Sequence, residues 1–148
     1  MSNRKILTLE DFEEPRYKNQ IGQGSYGVVY KLQENETGKI FAVKILKQIP
    51  DLEKKFVKEC NALLKLDYPT LANLYGIILD PCSLVTEFLP NKTVQFYIDQ
   101  SYRSVLNEEK WKLSTKMIII LGISFGIEYL HSHKIKTIKI IKTIKINE

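Results

Sequence analysis

The feature that most constrains this 148-residue sequence is a glycine-rich stretch over residues 22–30. It has the pattern G-x-G-x-x-G-x-V, with Gly22, Gly24, Gly27 and Val29 at the fixed positions. Glycines at this spacing occur in several kinds of nucleotide-binding loop and also by chance. The residues that follow the glycines must therefore distinguish between these structures.

Those residues predict a flap made of strands. A dinucleotide-binding fold needs a helix that begins at the last glycine. Here β-branched and aromatic residues over 28–32 favour a strand, and turn-forming residues follow at 35–38. The apolar run over 40–46 predicts a second strand, which contains Lys44. No G-K-[ST] follows the glycines, which excludes a P-loop.

Residues 51–66 predict a helix, with Asp51 as its N-cap. Apolar residues recur there at helical spacing, at Leu52, Phe56, Leu63 and Leu66. Glu59 falls on the same face, where a carboxylate is costly unless it has a partner. We expect Lys44 to be that partner; the alternative is a solvated glutamate.

Charge and composition limit the classes of function. Most of the net charge of +5 lies in residues 134–148, which contain five lysines and one glutamate. The rest of the chain is nearly neutral, so we expect no nucleic-acid partner. The longest apolar stretch, over 117–127, is shorter than the roughly 20 residues of a membrane span. We therefore expect no transmembrane segment.

The start of the chain and its cysteines bear on location. No long apolar run follows Met1, so we expect no signal peptide. Cys60 and Cys82 lie far apart in sequence and form no C-x-x-C pair. Reduced thiols in a cytoplasmic protein are the simplest interpretation.

Several segments in a fixed order now resemble one family. The glycine stretch is followed by FAVK, which ends at Lys44, and by KKFVKECNALLKL, which contains Glu59. DYPTLANLYGIILD follows, then SLVTEFLP over 83–90 and WKLSTKMIIILGISFGIEYLHS over 111–132. This series closely resembles the small lobe, hinge and first large-lobe helices of a protein kinase. It is most similar to the tyrosine-kinase-like group of serine/threonine kinases, over residues from about 10 to 133.

The resemblance implies an α+β fold. We expect a five-stranded antiparallel sheet with one flanking helix, helix C, followed by the hinge and by helices D and E of the large lobe. Within a partial kinase domain over 1–133, residues of about 10–90 would form the small lobe and hinge. Residues 91–133 would form the first large-lobe helices, and 134–148 a low-complexity tail.

The resemblance also implies an ATP site. Lys44 would contact the α- and β-phosphates, and Glu59 would hold it in position. Backbone groups of Glu87 and Leu89 would meet the adenine edge, and Thr86 would lie at the back of the pocket as the gatekeeper. The remaining predicted ATP-binding residues would cover the phosphates or enclose the base: Ile21, Gly22, Gly24, Gly27, Val29 and Ala42.

The sequence departs from the family after the segment that resembles helix E. It contains no H-R-D and no D-F-G motif, and no aspartate follows Asp99. IKTIKI instead occurs twice over 135–146, a repeat that suits either a helix or strands and that we interpret as low-complexity sequence. His131 and His133 lie on different faces of a helix, so we expect no metal site.

These departures predict weak ATP binding, no magnesium ligands and no catalytic activity of the chain alone. The alternatives are a non-catalytic interaction module and a non-functional remnant. The predicted helix over 114–131 is apolar nearly all round, and such helices belong inside a domain. We therefore also expect self-association or a protein partner at this helix.

Overall fold

The computed structural model describes residues 5–91, 93–102 and 112–134. These residues divide into two compact units, one that contains residues 5–66 and 73–88, and the other 67–72 and the described residues from 89 to 134. The strands are β1 (Lys5–Leu7), β2 (Gln20–Gly24), β3 (Gly27–Gln33), β4 (Ile40–Leu46), β5 (Leu74–Ile78) and β6 (Ser83–Glu87). The helices are α1 (Leu52–Leu64), α2 (Val94–Tyr102) and α3 (Leu113–Ser132).

Over the described residues the first unit contains one six-stranded sheet, in the order β1-β5-β6-β4-β3-β2. The last five strands in this order pair antiparallel, as predicted. β1 was not predicted, and it pairs parallel to the β5 edge. The three residues of β1 have no alternating pattern and so carry no strand signal of their own. β1 forms because the tertiary structure provides β5 as its partner.

The two faces of the sheet bury two separate apolar clusters. Alternate residues of a strand point to opposite faces. One cluster packs the sheet against the N-terminal residues Leu7 and Phe12, and consists of Leu7, Phe12, Leu32, Phe41, Val43, Ile78 and Val85. The other packs it against α1, and consists of Leu46, Leu52, Phe56, Cys60, Leu74 and Leu84. The chain itself therefore covers part of each face of the sheet.

Residues 17–19 form a 3-10 turn, and the strand that leads into the glycine stretch begins at Gln20. One local prediction needs correction. The helix expected over 51–66 is confirmed as α1, but Asp51 does not cap it through its side chain. The backbone of Asp51 is left-handed, with φ 57°, and its carboxylate accepts a hydrogen bond from Lys54 Nζ at 3.0 Å.

The second unit contains the long helix α3. Tyr129 of this helix stacks on Tyr68, with ring centroids 4.5 Å apart, and its hydroxyl accepts a hydrogen bond from the Asp67 backbone N–H at 3.2 Å. Ile119 and Leu130 are buried. Six large apolar side chains of α3 are at least half exposed: Leu113, Met117, Ile118, Ile120, Leu121 and Phe125.

In length and composition α3 would suffice to cross a membrane. α3 is 20 residues long, which is longer than the apolar stretch over 117–127 on which the prediction of no transmembrane segment was based. The finding is weak evidence for a span, since core helices of soluble proteins have the same properties. That the chain has no transmembrane segment stays a prediction. The predicted tail over 134–148, with its IKTIKI repeat, lies outside the described residues beyond Lys134.

Candidate functional site

Strand register brings the predicted phosphate-binding residues into one row. Gly22 pairs with Val29, Val29 with Lys44, and Lys44 with Leu84. The next row on the same face joins Ala42 to Thr86. Because Leu84 packs in the α1 cluster, this is the sheet face that α1 covers. Residues distant in sequence thus lie side by side on one surface.

Lys44 and Glu59 form the centre of this surface. The Lys44 Nζ lies 2.5 Å from Oε1 of Glu59, closer than the limit of about 4 Å for an ion pair. The two side chains are 31% and 34% exposed, so water partly screens their attraction. The predicted contact is therefore present, and the alternative of a solvated glutamate is wrong. Both charged groups remain accessible from solution.

The glycines of the hairpin differ in what surrounds them. A Cβ on Gly27 would lie 2.3 Å from the carbonyl oxygen of Ile45, so packing alone requires glycine there. A Cβ on Gly22 would make ordinary contact with Val29 at 3.8 Å, and one on Gly24 would meet nothing within 4 Å. Neither has a left-handed backbone. Internal packing and conformation therefore leave glycine at positions 22 and 24 unexplained.

The predicted base-binding residues lie on several elements: β4, β6, β2 and the start of the second unit. Thr86 donates a hydrogen bond from Oγ1 to the carbonyl oxygen of Ala42 at 3.5 Å, which joins β6 to β4. The backbone N–H of Glu87 donates to the Asn73 carbonyl at 3.1 Å. Ile21 lies at an irregularity of β2 and is half exposed. Leu89 belongs to the second unit.

A thiol lies beside the ion pair. Cys60 follows Glu59 on α1 and is buried among apolar residues. Burial, with a smaller contribution from the Glu59 charge, raises the pKa of the Cys60 thiol from 9.0 to about 11. The neutral thiol is a poor nucleophile and a poor metal ligand. Among the described residues no group of three His, Cys, Asp or Glu side chains is arranged to hold a metal ion.

Sequence reasoning missed the residues that support the site from behind. β1 pairs with β5 through Lys5↔Gly76 and Leu7↔Ile78, and Glu34 is a buried carboxylate at 2% exposure. Gly76 was the available signal, because glycine inside an apolar strand often marks a close approach of another backbone.

Comparison with known proteins agrees with this arrangement. A family model described as "Protein kinase domain" matches residues 16–138. A G-type lectin S-receptor-like serine/threonine-protein kinase of Arabidopsis thaliana is 35% identical over 134 residues, which cover 87% of this chain and 16% of that protein. The Arabidopsis cysteine-rich receptor-like protein kinase 25 is 39% identical over 117 residues, or 76% of this chain and 16% of the relative.

A third relative comes from another organism. The probable serine/threonine-protein kinase roco5 of Dictyostelium discoideum is 28% identical over 132 residues, which cover 84% of this chain and 4% of the relative. The chain thus spans less than a fifth of the length of each of these three proteins. The family match covers most of the chain and includes the glycine hairpin, Lys44, Glu59 and α3. The chain belongs to the protein kinase domain family.

Proposed function

We propose that the first unit binds ATP through the face that contains Lys44. The observation that supports this best is the ion pair between Lys44 and Glu59, on the same sheet face as the open glycines Gly22 and Gly24. A phosphate oxygen needs a cation at a fixed position, and Glu59 fixes the lysine. It also needs a backbone that it can approach closely, which glycine alone allows without a side chain in the way.

The base would lie further along the same face. Ala42 leaves space there because its side chain is small, and Thr86 is hydrogen bonded behind it. Val29 and Ile21 would cover the base, and backbone groups of Glu87 would bind its edge. Gly27 differs from the other two glycines, since it makes room for β4 and not for ATP.

The 148 residues as a separate polypeptide would bind nucleotide without transferring its phosphoryl group. Phosphoryl transfer depends on metal ions and on a residue that orients the acceptor hydroxyl. The sequence contains no H-R-D or D-F-G motif, the segments that would supply the magnesium ligands and the residue that orients the acceptor. In a complete kinase domain of this kind, serine or threonine would be the acceptor, as the names of the relatives indicate. The cytoplasmic location stays a prediction.

Titration of ATP into the chain by calorimetry, with and without magnesium, tests this function. We expect weak binding that changes little with magnesium. Lys44→Ala should weaken binding about tenfold or more, since a charge-assisted hydrogen bond contributes about 1.5–3 kcal/mol. Lys39→Ala, an exposed lysine in the turn before β4, is the matched control. Tight binding that strictly requires magnesium, or equal effects of the two substitutions, would contradict the proposal.

A second candidate function is that of a non-catalytic interaction module. The exposed apolar side chains of α3, among them Ile118 at 59% and Phe125 at 50%, favour it. In a complete kinase the corresponding helix is covered by the large lobe, as the family resemblance implies. A second copy of this chain offers an equally apolar helix, and burial of two such surfaces drives association.

Light scattering at micromolar concentration tests this association. The unaltered chain should form dimers or larger species. The double substitution Ile118→Lys and Phe125→Lys should shift it toward the monomer, because each lysine would have to be buried on association. His131→Lys places a lysine at an exposed polar position of the same helix and serves as the control. A dispersed monomer of the unaltered chain would contradict this role for α3.

A further inference from the structure

The N-terminal residues Lys5–Glu13, here called the strap, lie outside the segment that matches the kinase family model. They are nevertheless built into the first unit. Leu7 and Phe12 are 8% and 4% exposed, and they contribute to the apolar cluster on the sheet face opposite Lys44. Phe12 also meets Phe41 of β4 edge to face, at 6.2 Å between ring centroids.

β5 is adapted to receive the strap. A Cβ on Gly76 would lie 2.6 Å from Leu7 Cδ1 and 2.6 Å from the Lys5 carbonyl oxygen. Any residue other than glycine at this position would therefore force β1 away from the sheet. The kinase segment thus has a glycine at the position where the strap packs most closely against it, and this packing requires the glycine.

The far end of the strap is fixed to the residues that follow β3. The Asn35 backbone N–H donates to the carbonyl oxygen of Asp11 at 2.8 Å, and Asn35 Nδ2 donates to the carbonyl oxygen of Glu10 at 2.9 Å. Glu13 exchanges hydrogen bonds with the Gln33 backbone, donating through its N–H at 2.9 Å and accepting through Oε1 at 3.1 Å. The strap is therefore held at both ends.

A buried carboxylate joins these two anchor regions. Glu34 is 2% exposed, and its Oε1 accepts a hydrogen bond from the Tyr75 hydroxyl of β5 at 2.9 Å. Its Oε2 accepts one from Thr37 Oγ1 at 2.5 Å. Tyr75 stacks on Phe41, at 4.2 Å between centroids, and Lys5 Nζ lies 5.4 Å from the centre of the Tyr75 ring. The strap, β4 and β5 thus share one connected set of contacts.

Strands β4 and β5 connect the strap to the ion pair on the other face. Val43 packs in the strap cluster and is followed directly by Lys44. In β5, Ile78 packs in the strap cluster, whereas Leu74 packs with Cys60 in the α1 cluster. Cys60 is the neighbour of Glu59. A shift of β4 after loss of the strap would therefore move Lys44, and a shift of β5 would move α1 and with it Glu59.

We propose that the strap is a positioning element for the nucleotide site, in which Leu7 and Phe12 hold β4 and β5 so that Lys44 and Glu59 stay paired. The inference rests on the proposed ATP site for its functional consequence. Its structural core, the coupling of the strap to α1, can be measured without nucleotide. Release of the strap would loosen the packing of α1 against the sheet, and the same change would weaken nucleotide binding.

The test uses the full chain with Leu7→Asp, which places a charge at a buried position and so expels β1. Ile6→Asp is the matched control, because Ile6 is the preceding residue of the same strand and is 75% exposed. The first readout is the labelling rate of Cys60 by a thiol reagent, with the labelled residue identified by mass spectrometry. The second is ATP affinity, measured where circular dichroism shows both variants folded.

We expect Leu7→Asp to raise the Cys60 labelling rate and lower the ATP affinity by about 5-fold or more, the lower end of typical coupling between sites. Ile6→Asp should change neither. A synthetic peptide of residues 1–14 should restore both properties in Leu7→Asp, and ATP should tighten peptide binding by the same factor, since coupling is reciprocal. A folded Leu7→Asp chain that labels at the control rate overturns the proposal.

Failure of the proposed function has a different signature. If the unaltered chain does not bind ATP, the ATP site is wrong, while Cys60 labelling still decides whether the strap holds α1. If Leu7→Asp does not fold, Leu7→Ala replaces it. If neither folds, native-state hydrogen exchange of the unaltered chain decides. Shared opening of β1 and α1 supports the strap, and opening of β1 without α1 contradicts it.

Discussion

The two compact units differ in how much of their apolar surface they bury. In the first unit, strands alternate between two buried clusters, and residues such as Leu32 and Val43 are completely buried. In the second, α3 exposes Met117, Ile118 and Ile120 to more than half of their surface. Strands and helices with one apolar face can bury that face against one another, whereas a helix that is apolar nearly all round needs neighbouring elements on several sides. The difference identifies α3 as the part of the described structure most suited to association.

The largest expected effect is the difference in the free energy of unfolding between a core substitution in the first unit and a substitution on the exposed face of α3. Leu32→Ala removes a side chain at 0% exposure and should lower the free energy of unfolding by about 2–5 kcal/mol, because it leaves a cavity. Ile118→Ala in α3 removes a side chain at 59% exposure and should change it by about 0.5 kcal/mol or less. Urea titration at low protein concentration measures both. Similar losses in the two variants would show that α3 is covered after all.

The glycine hairpin contains a similar contrast, between Gly27, which is closely packed, and Gly24, which has open space around it. Gly27→Ala should lower the free energy of unfolding by about 1–3 kcal/mol, since its Cβ would overlap the Ile45 carbonyl. Gly24→Ala should leave stability unchanged, because nothing lies within 4 Å of its Cβ, but it should weaken ATP binding. Thermal unfolding and ATP titration of both variants provide the measurement. An unchanged ATP affinity for Gly24→Ala would show that no phosphate approaches that position.

A smaller effect is expected from pH. The Cys60 thiol ionises at about pH 9 in the unfolded chain, whereas burial raises its pKa to about 11 in the folded chain. Unfolding therefore releases a proton between these values, so the contribution of Cys60 to stability should be constant below pH 9 and be lost as the pH rises toward 11. We expect a loss of about 1–2 kcal/mol. Cys60→Ala should abolish this part of the pH dependence, and Cys82→Ala should retain it; equal profiles for all three chains would contradict the burial of Cys60.

Much of the fold could be predicted because its signals are local. The glycine spacing, the β-branched residues after Gly27 and the helical spacing around Phe56 each depend on neighbours in sequence. The ion pair was predictable for a related reason, since Glu59 occupies a helix face that is otherwise apolar and so needs a partner. Asp51 is the N-cap residue of α1 as predicted, but its side chain makes no capping hydrogen bond, because the composition of a helix start does not determine the backbone geometry of the cap.

The sequence by itself determined the family, the antiparallel strands, α1 and the pairing of Lys44 with Glu59. Tertiary structure alone decided that Lys5–Leu7 would become a sixth strand, and that Gly27 is required by packing whereas Gly24 is not. It also decided that Glu34 would be buried against Tyr75. The physical reason is that these outcomes depend on contacts between residues distant in sequence. A three-residue strand or a single carboxylate has no periodic signal, and its environment exists only once the sheet has formed.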